Sequence, residues 1–250
     1  SSNDLISSGR IAGRQLVTLT AENLRNLGEI SGKEVFADAR TDLQLLGGQI
    51  VAEKKLVAQA GRDLSVASST VDLSYGVPGE NGSIRRTDIS RVAGLYVTGD
   101  DGTLVAASGR DMTLLAAALT NGNASSGSSA GTTVLAAGGN LTLGTVTESR
   151  DAATQAKRTR WSETASNEVG STIQTAGDLT LLAGQNLSAR AASVEATGSI
   201  TARAVNDLII EAGAAHYTSD YSRKSSRSGL FSKKSKTVHD TLETTTALSS

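Results

Sequence analysis

The sequence predicts an all-β fold: a right-handed parallel β-helix of about 20-residue coils with projecting hairpin or loop inserts. Three observations carry this. Ile11, Ile30 and Ile50 recur at spacings of 19 and 20, and Leu24, Leu43 and Leu64 at 19 and 21. Each of those leucines is preceded by an Asn or Asp, namely Asn23, Asp42 and Asp63. Near the other end, Leu179 and Leu187 stand eight residues apart, as do Ile200 and Leu208, 21 residues further on. A fixed period near 20 marks a repeat architecture whose single unit cannot bury its own apolar side.

Within a unit, apolar residues alternate over three to five positions, as in Leu16-Val17-Thr18-Leu19-Thr20 and Leu43-Gln44-Leu45. Alternation of that length predicts short strands, and the intervening Gly, Asn and Asp are turn formers. Leu16, Val35 and Leu56 are expected to form one ladder and Leu24, Leu43 and Leu64 another. The register resumes with Leu104 and Met112, then with Val134, Leu141 and Val146, and then with Ile173 and Val194 as lead positions. Asn or Asp before each third leucine is expected to tolerate unusual turn angles. The Ala-rich piece Leu114–Leu119 is helical by propensity alone, but its place in the repeat makes it strand and corner. About eight coils at a strand spacing of about 4.8 Å give a rod on the order of 40 Å long.

Residues 1–250 read as one β-helical domain with three interruptions, at approximately 75–96, 147–170 and 214–237. The first holds the lone Pro78 and the turn-like run Pro78-Gly79-Glu80-Asn81-Gly82, a hairpin signal. The second holds the only Trp, Trp161, beside Lys157, Arg158 and Arg160. The third holds His216, Tyr217, Tyr221 and Arg223–Lys236, a stretch with six basic residues and no acid. Val238–Ser250 reads as a return strand or the start of another unit. Asn121–Gly131 reads as a polar loop, and Asp100-Asp101-Gly102 as a tight turn.

Composition agrees with a thin stacked core. Apolar content is 38 %, with one Pro and only four Tyr, two Phe and one Trp. A net charge of −1 gives no electrostatic reason to expect a nucleic-acid partner. With no cysteine, disulfides and thiolate metal sites are excluded. No apolar run approaches the roughly 20 residues of a membrane-spanning helix. Ser1 opens without a charged or apolar leader, so the chain is expected to be a piece of something longer.

Ala137-Gly138-Gly139-Asn140-Leu141-Thr142-Leu143, Ala176-Gly177-Asp178-Leu179-Thr180-Leu181-Leu182-Ala183-Gly184 and Gly61-Arg62-Asp63-Leu64 resemble the repeats of filamentous haemagglutinins. Gly229-Leu230-Phe231-Ser232-Lys233-Lys234-Ser235-Lys236 resembles inserts in the second repeat region of contact-dependent growth inhibition exoproteins. The resemblance implies export by two-partner secretion through an outer-membrane transporter and a filament on the Gram-negative cell surface. It further implies adhesion to a host or bacterial surface receptor, glycan or lipopolysaccharide, or delivery of a C-terminal toxin to neighbouring bacteria.

No residue is assigned a catalytic, cofactor-binding or metal-binding role. His216 and His239 are 23 residues apart and lack any HExxH or acidic companion pattern. Asp42 and Asp63 occupy equivalent places in adjacent coils, the arrangement a polysaccharide-cleaving β-helix uses for acid and base. The same place holds Asn23, Asn140 and Asn186, which favours a structural requirement over catalysis. Arg223–Lys236 with Leu230 and Phe231 fits an anionic surface, and Trp161 fits stacking with an Arg. The sequence therefore reads as a non-enzymatic module, with a glycan-active enzyme and a passive spacer as its alternatives.

Overall fold

The computed structural model describes residues 3–76, 81–122, 131–156, 159–227, 230–244 and 247–249, with only the backbone described from residue 224 onward. The chain winds into a parallel β-helix. Each coil has a lead strand, a longer second strand and a four-residue third strand. Equivalent strands of successive coils pair in parallel, so like residues stack.

Three aliphatic ladders fill the interior. The lead ladder runs Ile11, Ile30, Ile50, Leu95, Leu119, Ile173 and Val194, with the backbone of Leu248 next in register. The third ladder runs Leu5, Leu24, Leu43, Leu64, Met112, Leu141, Leu187 and Leu208. The second runs Val17, Val35, Leu56, Leu104, Thr133, Leu179 and Ile200. In the middle coils these side chains are sealed: Leu43, Ile50, Leu56, Leu95 and Leu104 are all at 0 % exposure.

The second ladder corrects the expected register twice. Val17, not Leu16, stacks on Val35, and Leu16 is 57 % exposed. Both residues are aliphatic, so alternation alone does not choose between them. Thr133, not Val134, points inward. Its hydroxyl lies 3.0 Å from Thr175 Oγ1 and accepts from Asn121 Nδ2 at 3.0 Å, so a polar group is buried with its bonds made. Val146 also leaves the coil and pairs with Val169 outside it.

The Asn and Asp column has a different cause from the one expected. None of Asn23, Asp42, Asp63, Asp111, Asn140, Asn186 or Asp207 has positive φ; among the described non-glycine residues only Asp101, Ala116 and Ala191 do. Along most of the column the side-chain oxygen accepts the backbone N–H of the equivalent residue one coil on: Asp63 N to Asp42, Asp111 N to Asp63, Asn140 N to Asp111, Asn186 N to Asn140 and Asp207 N to Asn186. The position demands an acceptor at Oδ1, which both residue types supply. A second column is formed by Gly61, Gly109, Gly138 and Gly184. A Cβ on any of the upper three would collide with the carbonyl oxygen of the glycine below.

Three antiparallel hairpins leave the helix: Ser69–Gly76 with Asn81–Arg91, Val146–Ala156 with Thr159–Val169, and Gly213–Arg227 with Leu230–Thr244. Each departs after a third strand and returns into a lead strand, at Gly94–Val97, Thr172–Thr175 and Ala247–Ser249. The first interruption is therefore shifted from 75–96. It begins at Ser69, and by Gly94 the chain is back in the coil. Coil and hairpin strands share period-two alternation, so the pattern does not mark the exit. Asn81 and Gly82 lie in the returning strand opposite Gln155 and Thr154, not in the turn, and Pro78-Gly79-Glu80 falls outside the described residues.

Between the hairpin-bearing corners the chain turns tightly at Ala116 and Ala191, with φ of 46° and 49°, and before them at Gly47 with φ of 60°. Left-handed backbone closes the corner. At Ser68, where the first hairpin leaves, φ is not positive and the side chain takes over: Ser68 Oγ donates to Ala116 O at 2.6 Å and accepts from Ala93 N at 3.1 Å. Ser171, where the second hairpin returns, accepts from Ala117 N at 3.1 Å.

Leu43→Ala is expected to lower unfolding free energy by about 2–5 kcal/mol, and Leu16→Ala by under about 0.5 kcal/mol, in urea titrations followed by circular dichroism. Ala191→Gly is expected to raise the denaturation midpoint slightly, because removing a Cβ from a left-handed corner relieves about 1 kcal/mol and returns part of it as backbone entropy.

Candidate functional site

The three hairpins are not separate arms. They pair edge to edge into one six-stranded antiparallel sheet. Asn81–Thr87 of the first pairs with Ser149–Gln155 of the second, and Thr159–Asn167 of the second with Ala215–Arg223 of the third. Hairpins leave alternate coils, so their roots are two coil spacings apart, about 9.6 Å. A hairpin is itself two strands, about 9.6 Å wide. The hairpins therefore tile without gaps.

Glutamates of the second hairpin fasten the roots. Glu148 Oε1 accepts the Ile89 N–H of the first hairpin at 3.0 Å. Glu168 Oε2 accepts the Ala214 N–H of the third at 2.9 Å and Arg190 Nε of the coil at 2.9 Å. Arg190 also reaches Glu211 at 3.2 Å. The Arg190 guanidinium, and then the Ala214 N–H, hold Glu168 below the usual carboxylate range.

Alternation sorts the sheet's residues onto two faces. One face carries Val71, Leu73 and Tyr75, then Ile84, Arg86 and Asp88, then Glu148, Arg150 and Ala152, then Trp161 and Ala165, then Tyr217 and Tyr221. The other carries Asp72, Ser74, Arg85, Thr87, Ser149, Asp151, Arg160, Ser162, Thr164, Ser166, His216, Thr218 and Asp220. The first face gathers Tyr75, Trp161, Tyr217 and Tyr221 with Arg86, Arg150, Asp88, Glu148 and Glu163; the second is rich in hydroxyls and also carries Arg85 and Arg160. Tyr75, Tyr217 and Tyr221 are 52 %, 41 % and 43 % exposed. A shallow depression of about 260 Å³ lies among Arg86, Asp88, Glu148, Arg150 and Asn167. Arg86 Nε pairs with Asp88 at 2.5 Å.

The sequence-singled residues fall as follows. Trp161 is half-buried between Thr154 and Tyr221 of the flanking strands, while Arg160 is exposed on the opposite face. Lys157 and Arg158 lie outside the described residues. The cation–π contact among the described residues is elsewhere, Lys55 over Phe36 at 5.3 Å. His216 sits opposite Ser166 and Thr241. Of the basic stretch, the backbones of 223–227 and 230–236 form the outer part of the third hairpin, His239 lies opposite Thr218 in its returning strand, and the side chains from residue 224 are outside the described set. Among the described residues no group of His, Cys, Asp or Glu is arranged to hold a metal.

Asp42 and Asp63 do stack in adjacent coils, but each is spoken for. Arg62 donates to Asp42 through Nε at 2.8 Å and through Nη2 at 2.5 Å, and Arg110 makes the same fork to Asp63. These hydrogen bonds hold both carboxyls below the ordinary range. A carboxyl kept ionised by a fork of donors is a poor general acid near neutrality. Sequence reasoning saw the pair and missed the Arg62–Arg110 column, although both arginines directly precede an Asp.

The model of the hemagglutinin repeat matches residues 11–75 and 152–243, together more than half of the chain. The chain belongs to the hemagglutinin repeat family. The second matched stretch takes in Thr159–Val169 and Gly213–Arg227, so in this hemagglutinin repeat chain the hairpins, and not the coils alone, are part of what is matched. Comparison with curated proteins and with solved structures returns no match. Hemagglutinin repeats build adhesin-type filamentous exoproteins.

Asp63→Asn keeps the acceptor for the Asp111 N–H and loses the charge opposite Arg110; Asp63→Ala loses both. The Ala variant is expected to be the less stable of the two by about 1 kcal/mol, read from denaturant midpoints. Glu168, Asp42 and Asp63 have lowered folded-state pKa values. Their contribution is full above the unfolded carboxylate pKa of about 4 and disappears as pH falls through the lower folded values. Thermal midpoints measured from neutral to acid pH are expected to drop below about pH 4, and less steeply in the Glu168→Gln variant.

Proposed function

We propose that this chain is a non-enzymatic contact module of a secreted, cell-surface filamentous exoprotein. The β-helix is the stalk, and the aromatic and arginine-bearing face of the hairpin sheet meets the target surface. The observation that carries the reading is the segregation of the rings: Tyr75, Trp161, Tyr217 and Tyr221 lie on one face beside Arg86 and Arg150, while the reverse, with Arg85 and Arg160, is hydroxyl-rich and has no Tyr or Trp among the described residues. A sheet presenting rings and guanidinium groups suits sugar rings bearing anionic substituents, by stacking and charge-assisted hydrogen bonds. Surface glycan or lipopolysaccharide is therefore the favoured partner class. Export by an outer-membrane two-partner-secretion transporter accords with the filamentous haemagglutinin likeness. Delivery of a C-terminal toxin rests on the likeness of Gly229–Lys236 to the inserts of growth-inhibition proteins.

The test replaces Tyr75, Trp161, Tyr217 and Tyr221 by Ala together and measures binding to whole Gram-negative cells and to immobilised lipopolysaccharide. Binding is expected to fall at least about tenfold, since each stacked ring contributes on the order of 1 kcal/mol, with the far-ultraviolet circular dichroism of the rod preserved. Unchanged binding would count against the face as the contact surface. Reducing-end release from acidic glycans by the parent chain, abolished in Asp42→Ala and Asp63→Ala, would instead support the glycan-cleaving alternative.

A further inference from the structure

The strand Ser69–Gly76 forms one outer edge of the hairpin sheet, paired with Asn81–Arg91 on one side and with no described strand on the other. Every residue from Thr70 to Gly76 is exposed. A bare edge of backbone N–H and C=O groups is a template for another strand, and proteins blunt such edges with Lys, Pro, bulges or inward charge. Ser-Thr-Val-Asp-Leu-Ser-Tyr-Gly has no Lys, Arg or Pro. The one irregularity, between Ile89 and Arg91, lies in the paired strand at the root. Along the open edge runs an apolar rib, Val71 at 39 %, Leu73 at 45 % and Tyr75 at 52 % exposure. Beside it the chain turns the corners at Leu27–Gly28 and Gly47–Gly48 without a hairpin, which leaves room for further strands.

The geometry points to antiparallel pairing of this edge with the same edge of a second copy of the chain, about a two-fold axis at Leu73. In that register Leu73 faces Leu73 of the partner subunit, Val71 faces Tyr75 of the partner subunit, and Asp72 faces Ser74 of the partner subunit. A β-branched residue against an aromatic is a favourable cross-strand pair, and no like charges are opposed. Centring on Asp72 instead would set two carboxylates against each other. The antiparallel sense puts the second rod at the far end of the strand, roughly 26 Å away along eight residues. The same edge-to-edge association already joins the first hairpin to the second and the second to the third. A two-fold axis perpendicular to the sheet keeps the aromatic faces on one side. The pair thus presents one continuous twelve-stranded face, doubling the contact surface and adding avidity toward a repetitive target.

An eight-residue strand pair is a small interface, so the dimer is expected to be weak and concentration-dependent. Sedimentation of the 250-residue chain across the micromolar range is expected to show monomer converting to dimer. Leu73→Lys, at an exposed site, is expected to weaken the dimer about tenfold or more by setting two ammonium groups opposite each other. The chain has no cysteine, so a single introduced thiol reports position cleanly. Opposed strand residues lie about 4.5–5.5 Å apart at Cα, within disulfide reach. Mild oxidation of the Leu73→Cys variant is expected to give a covalent dimer, and the Ser74→Cys variant, one residue off the axis and on the other face, is expected to give far less. A chain that stays monomeric throughout, or equal cross-linking in the two variants, overturns the proposal.

Discussion

Parallel pairing between one coil and the next, at a spacing of about 4.8 Å, is the constraint from which the rest of this molecule follows. It stacks Ile on Ile and Leu on Leu in the three interior ladders, so each coil buries what it cannot bury alone. It places Asn and Asp side chains under the next backbone N–H and sets Arg62 over Asp42 and Arg110 over Asp63. It brings the coils so close at Gly61, Gly109, Gly138 and Gly184 that a side chain there has no room. A column in this fold is thus a single requirement repeated by the pitch.

The same pitch organises the hairpin sheet. Hairpins leave from one corner, skip a coil, and leave again, so their widths match the gaps between them. The switch is local. A left-handed residue at Gly47, Ala116 or Ala191 closes the corner, whereas Ser68 lets the chain depart while its hydroxyl repairs the broken ladder. Glu148 and Glu168 then tie the outer hairpins to the middle one. The result is an extended, rigid platform, better suited than three loose loops to holding rings and guanidinium groups in a fixed arrangement.

Burial and charge on this platform describe an open surface rather than a cleft. Its depression is shallow and shared by both signs of charge, and the ionisable pairs in the coil are exposed forks that stabilise rather than activate. Membership of the hemagglutinin repeat family accords with an adhesin-type filamentous module.

The periodicity of Ile11, Ile30 and Ile50 and of Leu24, Leu43 and Leu64 was enough to specify the winding, because only a stacked coil turns a repeat of about 20 residues into continuous buried ladders. The Asn and Asp before each third leucine were legible as a column, though their role as acceptors was not, since acceptance needs the next coil's N–H in place. Choosing Val17 over Leu16, and Thr133 over Val134, required neighbours: the stacking partner Val35 in one case, Asn121 and Thr175 in the other. The hairpin exits were blurred because coil and hairpin strands alternate alike. Above all, Tyr75, Trp161 and Tyr217 are scattered along the chain, and nothing local relates them. Only the tertiary structure decides that they share a face, because it is the axial stacking of coils, acting over as many as 140 or so residues, that brings three distant hairpins into one sheet.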